Sequence, residues 1–211
     1  MNRREETAAL RRERILSAAE ALFTQKGFDA TTIDDISRAS GYSRRTIYAC
    51  YQNKDDLRLH VVERGLIALR GDLETALAAE ETFLARYGAI CAAMARYRRD
   101  FPCSARAVDE TGAESLRGGD LPPAVLRILA LGEEIGALLN GWIEAGQREG
   151  IVRADVVPVL SVPVLYAGLS ALMALNESKG AYIEKSAELA EGGFLEYGLK
   201  QIAASLMVSP L

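Results

Sequence analysis

Apolar residues recur at intervals of three and four along this chain, the spacing that gathers them on one face of an α-helix. Ile15, Ala18, Ala19, Leu22 and Phe23 predict a first helix over residues 9–26, with residues 2–8 polar and frayed. Gly27 closes it as the residue after the C-cap, and Lys26 in the last turn suits the negative helix end. Two short amphipathic segments then flank Ser40 and Gly41. Ile33, Ile36 and Ala39 mark the buried face of the first, and Ile47 and Tyr51 that of the second. Thr32 and Ser43 stand where a side-chain oxygen caps a helix, and Gly41 where a tight helix-to-helix turn needs positive φ. Asp34 and Asp35 suit the positive end of the first segment.

The rest of the pattern is also helical, so the expected fold is all-α. Asn53 is placed to cap a helix over 54–78, with Leu57, Val61, Leu66 and Leu69 facing inward. Residues 81–99 follow, with Phe83, Leu84, Tyr87, Ile90, Cys91 and Met94 on the apolar side. Pro102, Gly112, Gly118, Gly119 and Pro122 break up residues 100–122, where one or two short helices and a mobile loop are expected. Pro123 suits the first position of a long helix through Leu131, Leu139, Trp142 and Ile143, closed by Gly146 and Gly150. The last two helices are expected over 158–177 and 181–207. Residues 156–176 carry no charge, a stretch long enough to cross a bilayer. Pro158, Pro163, Gly168 and Asn176 make it a poor membrane span, and a helix apolar all round must be buried in something. Burial between subunits is the expectation, with no membrane partner.

Composition narrows the task. With 211 residues and 49% hydrophobic content, the chain can pack a sizeable core, and its net charge of −4 argues against binding nucleic acid over its whole surface. The charge is uneven: residues 1–60 carry a net +2 and residues 61–211 a net −6. A mildly basic head on an acidic body suits a DNA-binding head with another task behind it. Cys50, Cys91 and Cys103 form no CxxC and are odd in number, which suits a reducing cytoplasm. The first residues are too charged for a signal peptide, so a cytoplasmic location is expected. His60 is the only histidine, which excludes a zinc finger or a multi-histidine metal site. No GxSxG, GxxxxGKS or GxGxxG occurs, so neither enzyme chemistry nor a cofactor is expected.

The candidate chemistry lies in residues 32–54. The outward face of the second short segment carries Ser43, Arg44, Arg45, Thr46 and Tyr48, the pattern of a helix-turn-helix whose second helix enters the DNA major groove. Arg44 and Arg45 can each donate two hydrogen bonds to guanine O6 and N7. Thr46 and Tyr48 can donate to phosphate oxygens, and Thr32 and Lys54 can meet a phosphate at the start of a helix. Tyr42 fits either the core or a DNA contact, while Tyr51 reads as core.

The segment resembles the DNA-binding domain of the tetracycline-repressor (TetR) family of transcriptional regulators. The likeness rests on Ile15, Ala18, Ala19, Phe23, Gly27-Phe28, Thr31-Thr32-Ile33, Ile36, Gly41-Tyr42-Ser43, Thr46-Ile47-Tyr48, Tyr51, Lys54 and Leu57. Tyr51 stands where the family usually has Phe, and Ala49 and Cys50 where larger polar residues are common. GQREGIVRADV at 146–156 is similar to the turn before the family's penultimate long helix. The resemblance implies a three-helix DNA-binding domain at 1–53 and a larger helical regulatory and dimerisation domain at 54–211. It gives Thr32, Tyr42, Ser43, Arg44, Arg45, Thr46, Tyr48 and Lys54 roles at double-stranded DNA. It implies a homodimer through 158–177 and 181–207, bound to a palindromic operator. It also implies an apolar or aromatic small-molecule effector, for which Phe83, Tyr87, Tyr97, Phe101, Trp142 and Tyr166 are candidates, although each also fits simple core packing. The expected function is that of a one-component repressor released by its ligand. Two alternatives stay open: a DNA-binding protein of the same fold without a ligand, and a redox sensor working through a cysteine.

Overall fold

A computed structural model describes residues 3–110 and 121–208. The expected all-α fold is what is found. Nine helices form among the described residues: α1 (Arg3–Lys26), α2 (Ile33–Ser40), α3 (Arg44–Tyr48), α4 (Lys54–Ala79), α5 (Phe83–Asp100), α6 (Pro102–Glu110), α7 (Pro123–Arg148), α8 (Pro158–Ser186) and α9 (Gly193–Ala204). The loop expected over 111–120 lies outside the described residues.

Packing divides the chain into two compact units, the first of residues up to Ala68 with Tyr97–Leu131 and the second of Leu69–Arg96 with Gly132–Leu211. This differs from a division at 53/54, because α6 packs on α1 within the first unit. The first unit is built on Ile15, Ala19, Phe23, Ile36, Ile47, Tyr51, Leu57 and Val61, all buried, with Leu22, Phe28, Ile33 and Tyr42 against them. Ser104 on α6 is fully buried, and its hydroxyl donates to the Val62 carbonyl at 3.0 Å and pairs with the Tyr97 hydroxyl at 2.8 Å. It sits over Gly65, where an added Cβ would lie 2.5 Å from Ser104 Cβ. Arg64 on α4 reaches α1, pairing with Glu13 and Glu20 and donating to Ser17 Oγ at 3.0 Å.

The second unit packs around Leu73, Tyr87, Ile90, Leu139, Trp142, Ile143, Leu165, Leu169 and Met173. Its α8 and α9 lie against each other, and Glu184 of α8 accepts from the Phe194 amide at 3.3 Å. An isolated antiparallel bridge joins Val152 to Met207.

Several boundaries differ from expectation. Helix α1 begins at Arg3 rather than residue 9, since Glu5 and Glu6 in its first turn favour the positive helix end. Gly146 does not close α7; it lies inside the helix, where a Cβ would meet the Phe83 ring and Val152. Helix α8 runs through Gly180 to Ser186, and the break falls at 187–192, where Glu188 (φ 54°) and Gly192 (φ 82°) adopt left-handed backbone. Ala39 and Leu84, expected on buried faces, are exposed.

Candidate functional site

Residues 27–54 are held by local chemistry that the chain supplies itself. Gly27 turns the backbone at φ 84°, and the Thr31 hydroxyl donates to its carbonyl at 2.7 Å. Thr32 caps α2: its hydroxyl accepts from the Asp35 amide at 3.2 Å, while the Asp35 carboxylate accepts from the Thr32 amide at 3.0 Å. This reciprocal box satisfies two amides that the start of a helix otherwise leaves unpaired. The hydrogen bond from Lys26, reinforced by the hydroxyl and amide of Thr32, holds the Asp35 carboxyl well below the usual carboxylate range. Gly41 closes α2 at φ 75°, and its amide donates to the Ser37 carbonyl. Ser43 then caps α3, accepting from the Thr46 amide at 3.2 Å and pairing with the Thr46 hydroxyl at 2.9 Å. A helix of five residues cannot persist alone, so its direction is fixed by this cap and by Ile47, which is buried in the core.

The outward residues of α3 stand together on one surface. Arg44, Arg45 and Tyr48 are exposed, and Thr46 is half-buried. Arg44 is not idle: its guanidinium Nε lies 3.2 Å from the Asp34 carboxylate on α2. Tyr42 is half-buried against the core, and its carbonyl accepts from the Ser37 hydroxyl at 2.7 Å. Thr32 is exposed at the start of α2. Tyr51 is core, as expected; its hydroxyl donates to the Arg12 carbonyl at 3.1 Å, and burial pushes its pKa up to about 12.

Lys54 occupies a different setting. Its ammonium donates to the carbonyls of Phe28 at 2.9 Å, Thr31 at 3.0 Å and Asp29 at 3.4 Å, and lies 4.3 Å from the centre of the Phe28 ring. Sequence reasoning also missed the Arg44–Asp34 pair. The signal was present, since Asp34 lies in the first turn of α2 and Arg44 opens α3 across a three-residue turn, but only the angle between the helices brings them together.

The six aromatic candidates do not form one group. Phe83, Tyr87 and Trp142 stack in the second unit, with ring centroids 4.4 Å apart for Phe83–Trp142 and 6.2 Å for Tyr87–Trp142. The Tyr87 hydroxyl donates to the Leu199 carbonyl at 2.8 Å. Tyr97 and Phe101 pair in the first unit at 6.4 Å, and Tyr166 is half-buried on α8. Trp142 Nε1 and Ser170 Oγ are buried in the second unit with no hydrogen-bond partner among the described residues. Burial pushes the Cys91 thiol up to about 11 and raises Cys103 as well, which disfavours the thiolate at both positions.

The profile of a family described as bacterial regulatory proteins, tetR family, matches residues 15–61. The negative transcriptional regulator of the biofilm operon in Staphylococcus epidermidis, IcaR, is 36% identical over 52 residues, covering 25% of this chain and 28% of that protein. The chain thus matches little more than a quarter of the length of such curated relatives. Over nearly the whole chain the fold is that of FadR from Bacillus halodurans, described as a fatty acid degradation regulator (TM-score 0.69, 13% identity, 93% of this chain and 96% of that one). PfmR from Thermus thermophilus, described as a TetR family transcriptional regulator, is similar at TM-score 0.60 and 22% identity over 76% of this chain and 85% of its own. These relatives are regulators, not enzymes. Residues 15–61 thus match the TetR family of bacterial regulatory proteins, and the chain shares the fold of PfmR.

Proposed function

We propose that this protein is a cytoplasmic one-component transcriptional repressor that binds a palindromic operator as a homodimer and is released by a small molecule. The observation that carries the reading is α3 itself. It is a capped, core-anchored helix presenting Arg44, Arg45 and Tyr48 to solvent beside the exposed start of α2. Arg44 and Arg45 read base edges in the major groove, and Thr32, Ser43, Thr46, Tyr48 and Tyr42 fix the head on the backbone.

Dimerisation through 158–177 and 181–207 is supported by the apolar surface of α8. Val159, Leu160 and Val164 are 63%, 66% and 72% exposed in a single chain, and a groove of about 460 Å³ beside them is lined by Val157, Leu165, Gly168 and Ile202. Apolar surface this continuous calls for a partner. A second copy, placed by a two-fold axis, covers it and sets two heads against two half-sites.

The effector reading is supported by Trp142 and Ser170, two buried polar groups without a partner. A group of that kind destabilises the fold unless something satisfies it, which fits a mainly apolar ligand bearing a hydrogen-bond acceptor. Phe83, Tyr87 and Tyr166, which lie in the same unit as Trp142, remain candidates for its walls. The close Phe83–Trp142 stack favours a second reading, in which the body is filled and serves only to dimerise. Selection of bound sequences from random duplex DNA tests the operator, and a compound screen for release of that duplex tests the effector. Failure to enrich any duplex would remove the function proposed here; release by no compound would favour the ligand-free reading.

A further inference from the structure

Lys54 is the first residue of α4, and its ammonium faces into the protein rather than out. Its donors point at the carbonyls of Phe28, Asp29 and Thr31, and its charge lies over the face of Phe28. An ammonium has three donors, so these carbonyls can take its full complement. The Arg58 guanidinium lies 4.9 Å from the centre of the same ring, one helical turn along α4. The carbonyls belong to the turn between α1 and α2, which also contains Gly27 and the fully buried Thr31. The next residue is Thr32, the cap of α2. Any shift in the carbonyls of 28–31 therefore moves the amides that open α2.

We propose that Lys54 is a positioning residue for DNA binding. It locks the start of α4 to the α1–α2 turn, and so sets where the α2 N-terminus meets a phosphate, without touching DNA itself. The inference rests on the DNA-binding reading above and assigns Lys54 a different part in it. To reach a phosphate the ammonium would have to abandon its carbonyls and the Phe28 ring together. Left in place, it makes α2 follow any displacement of the first turn of α4.

The test compares Lys54→Met and Lys54→Arg with the unaltered full-length protein on a selected operator at several salt concentrations. Methionine keeps the length and removes the charge. Arginine keeps the charge and reaches a phosphate well, but its planar fork does not match three carbonyls converging on one point. Both variants are expected to lose affinity by about tenfold, the scale of one charge-assisted contact. The slope of log K against log salt should stay that of the unaltered protein. A direct phosphate contact predicts instead that methionine flattens the slope by about 0.9 per subunit and that arginine restores binding. Amide exchange in the free protein supplies a readout that general destabilisation does not. The Thr31 and Asp35 amides should exchange faster in both variants, while the Ile47 amide, bonded to the Ser43 carbonyl at 3.0 Å, keeps its protection. A flattened slope, binding restored by arginine, or unchanged exchange at Thr31 and Asp35 would each overturn the assignment. If the unaltered protein binds no duplex, the DNA-binding reading falls and takes this one with it.

Discussion

If Arg44 reads a base as proposed, DNA must break its pair with Asp34, and removing Asp34 should therefore tighten binding. Arg44 Nε lies 3.2 Å from Asp34, but the side chains are 64% and 58% exposed. An ion pair so open to solvent is worth about 0–1 kcal/mol. A bidentate arginine–guanine contact is worth roughly 1–3 kcal/mol of discrimination. The exchange of partners thus favours DNA, with Asp34 acting as a mild brake. Asp34→Asn should raise operator affinity by up to about fivefold at low salt, the equivalent of the whole pair. Arg44→Ala should lower it by about 1–3 kcal/mol and relax base preference at one position in each half-site. Asp34 also lies in the first turn of α2, so its removal costs roughly 0.3–1 kcal/mol of stability, visible as a slightly lower melting temperature. Titrations on operator and scrambled duplexes, with Asp34→Asn made alone and in the Arg44→Ala background, separate two causes. If Asp34 acts through Arg44, the gain disappears in the double variant. A gain that persists there, and is equal on scrambled DNA, would show that Asp34 merely repels phosphate. No gain at all would refute the competition.

Other substitutions probe the framework. Ser43→Ala removes the cap of α3 and should cost about 0.5–2 kcal/mol in thermal unfolding, with faster exchange at the Thr46 amide. The depressed folded-state pKa of Asp35 stabilises the protein above the ordinary carboxyl value of 3.8, and this contribution is lost as pH falls below it. Melting temperature measured from pH 6 downward should therefore fall more steeply for the unaltered protein than for Asp35→Asn. Gly65→Ala gains helix propensity of about 1 kcal/mol but forces a methyl onto Ser104, so a net loss of stability is expected, with overpacking of this kind costing about 1–3 kcal/mol. The additional change Ser104→Gly should recover part of it. Val164→Asp places a charge on the apolar face of α8, and sedimentation should then show a monomer, where the proposed assembly makes the unaltered chain a dimer.

Much of the head could be read from the sequence because its determinants are local. Thr32, Gly41 and Ser43 act on amides and dihedrals within a few residues of themselves, so spacing alone located both caps and the turn. The core positions Ile15, Ile36, Ile47 and Leu57 followed from helical periodicity for the same reason. The fate of the cations was not legible. Lys54 and Phe28 lie 26 residues apart, and the carbonyls that hold the ammonium have no signature in residue type. Glycine misled along α7, since Gly146 serves inside the helix rather than ending it. Close packing and chain reversal both select glycine, and one sequence does not separate the two. The aromatic candidates were chosen by size, which predicts burial but not company, and they divide between the two units.

The contact between Gly65 and Ser104 also limits how the first unit can move. Sliding α6 along α4 would carry Ser104 off Gly65 toward positions of α4 that bear a side chain, and these do not leave the gap that glycine does. The hydrogen bond from Ser104 to the Val62 carbonyl fixes the same register from the other side. A pair of helices with one seat transmits rotation but not slip. A push delivered to α6 therefore turns this part of α4, and Arg64 carries the turn to α1 through Glu13, Ser17 and Glu20. Mechanically, α1, α6 and the start of α4 work as one stiff lever rather than as sliding plates.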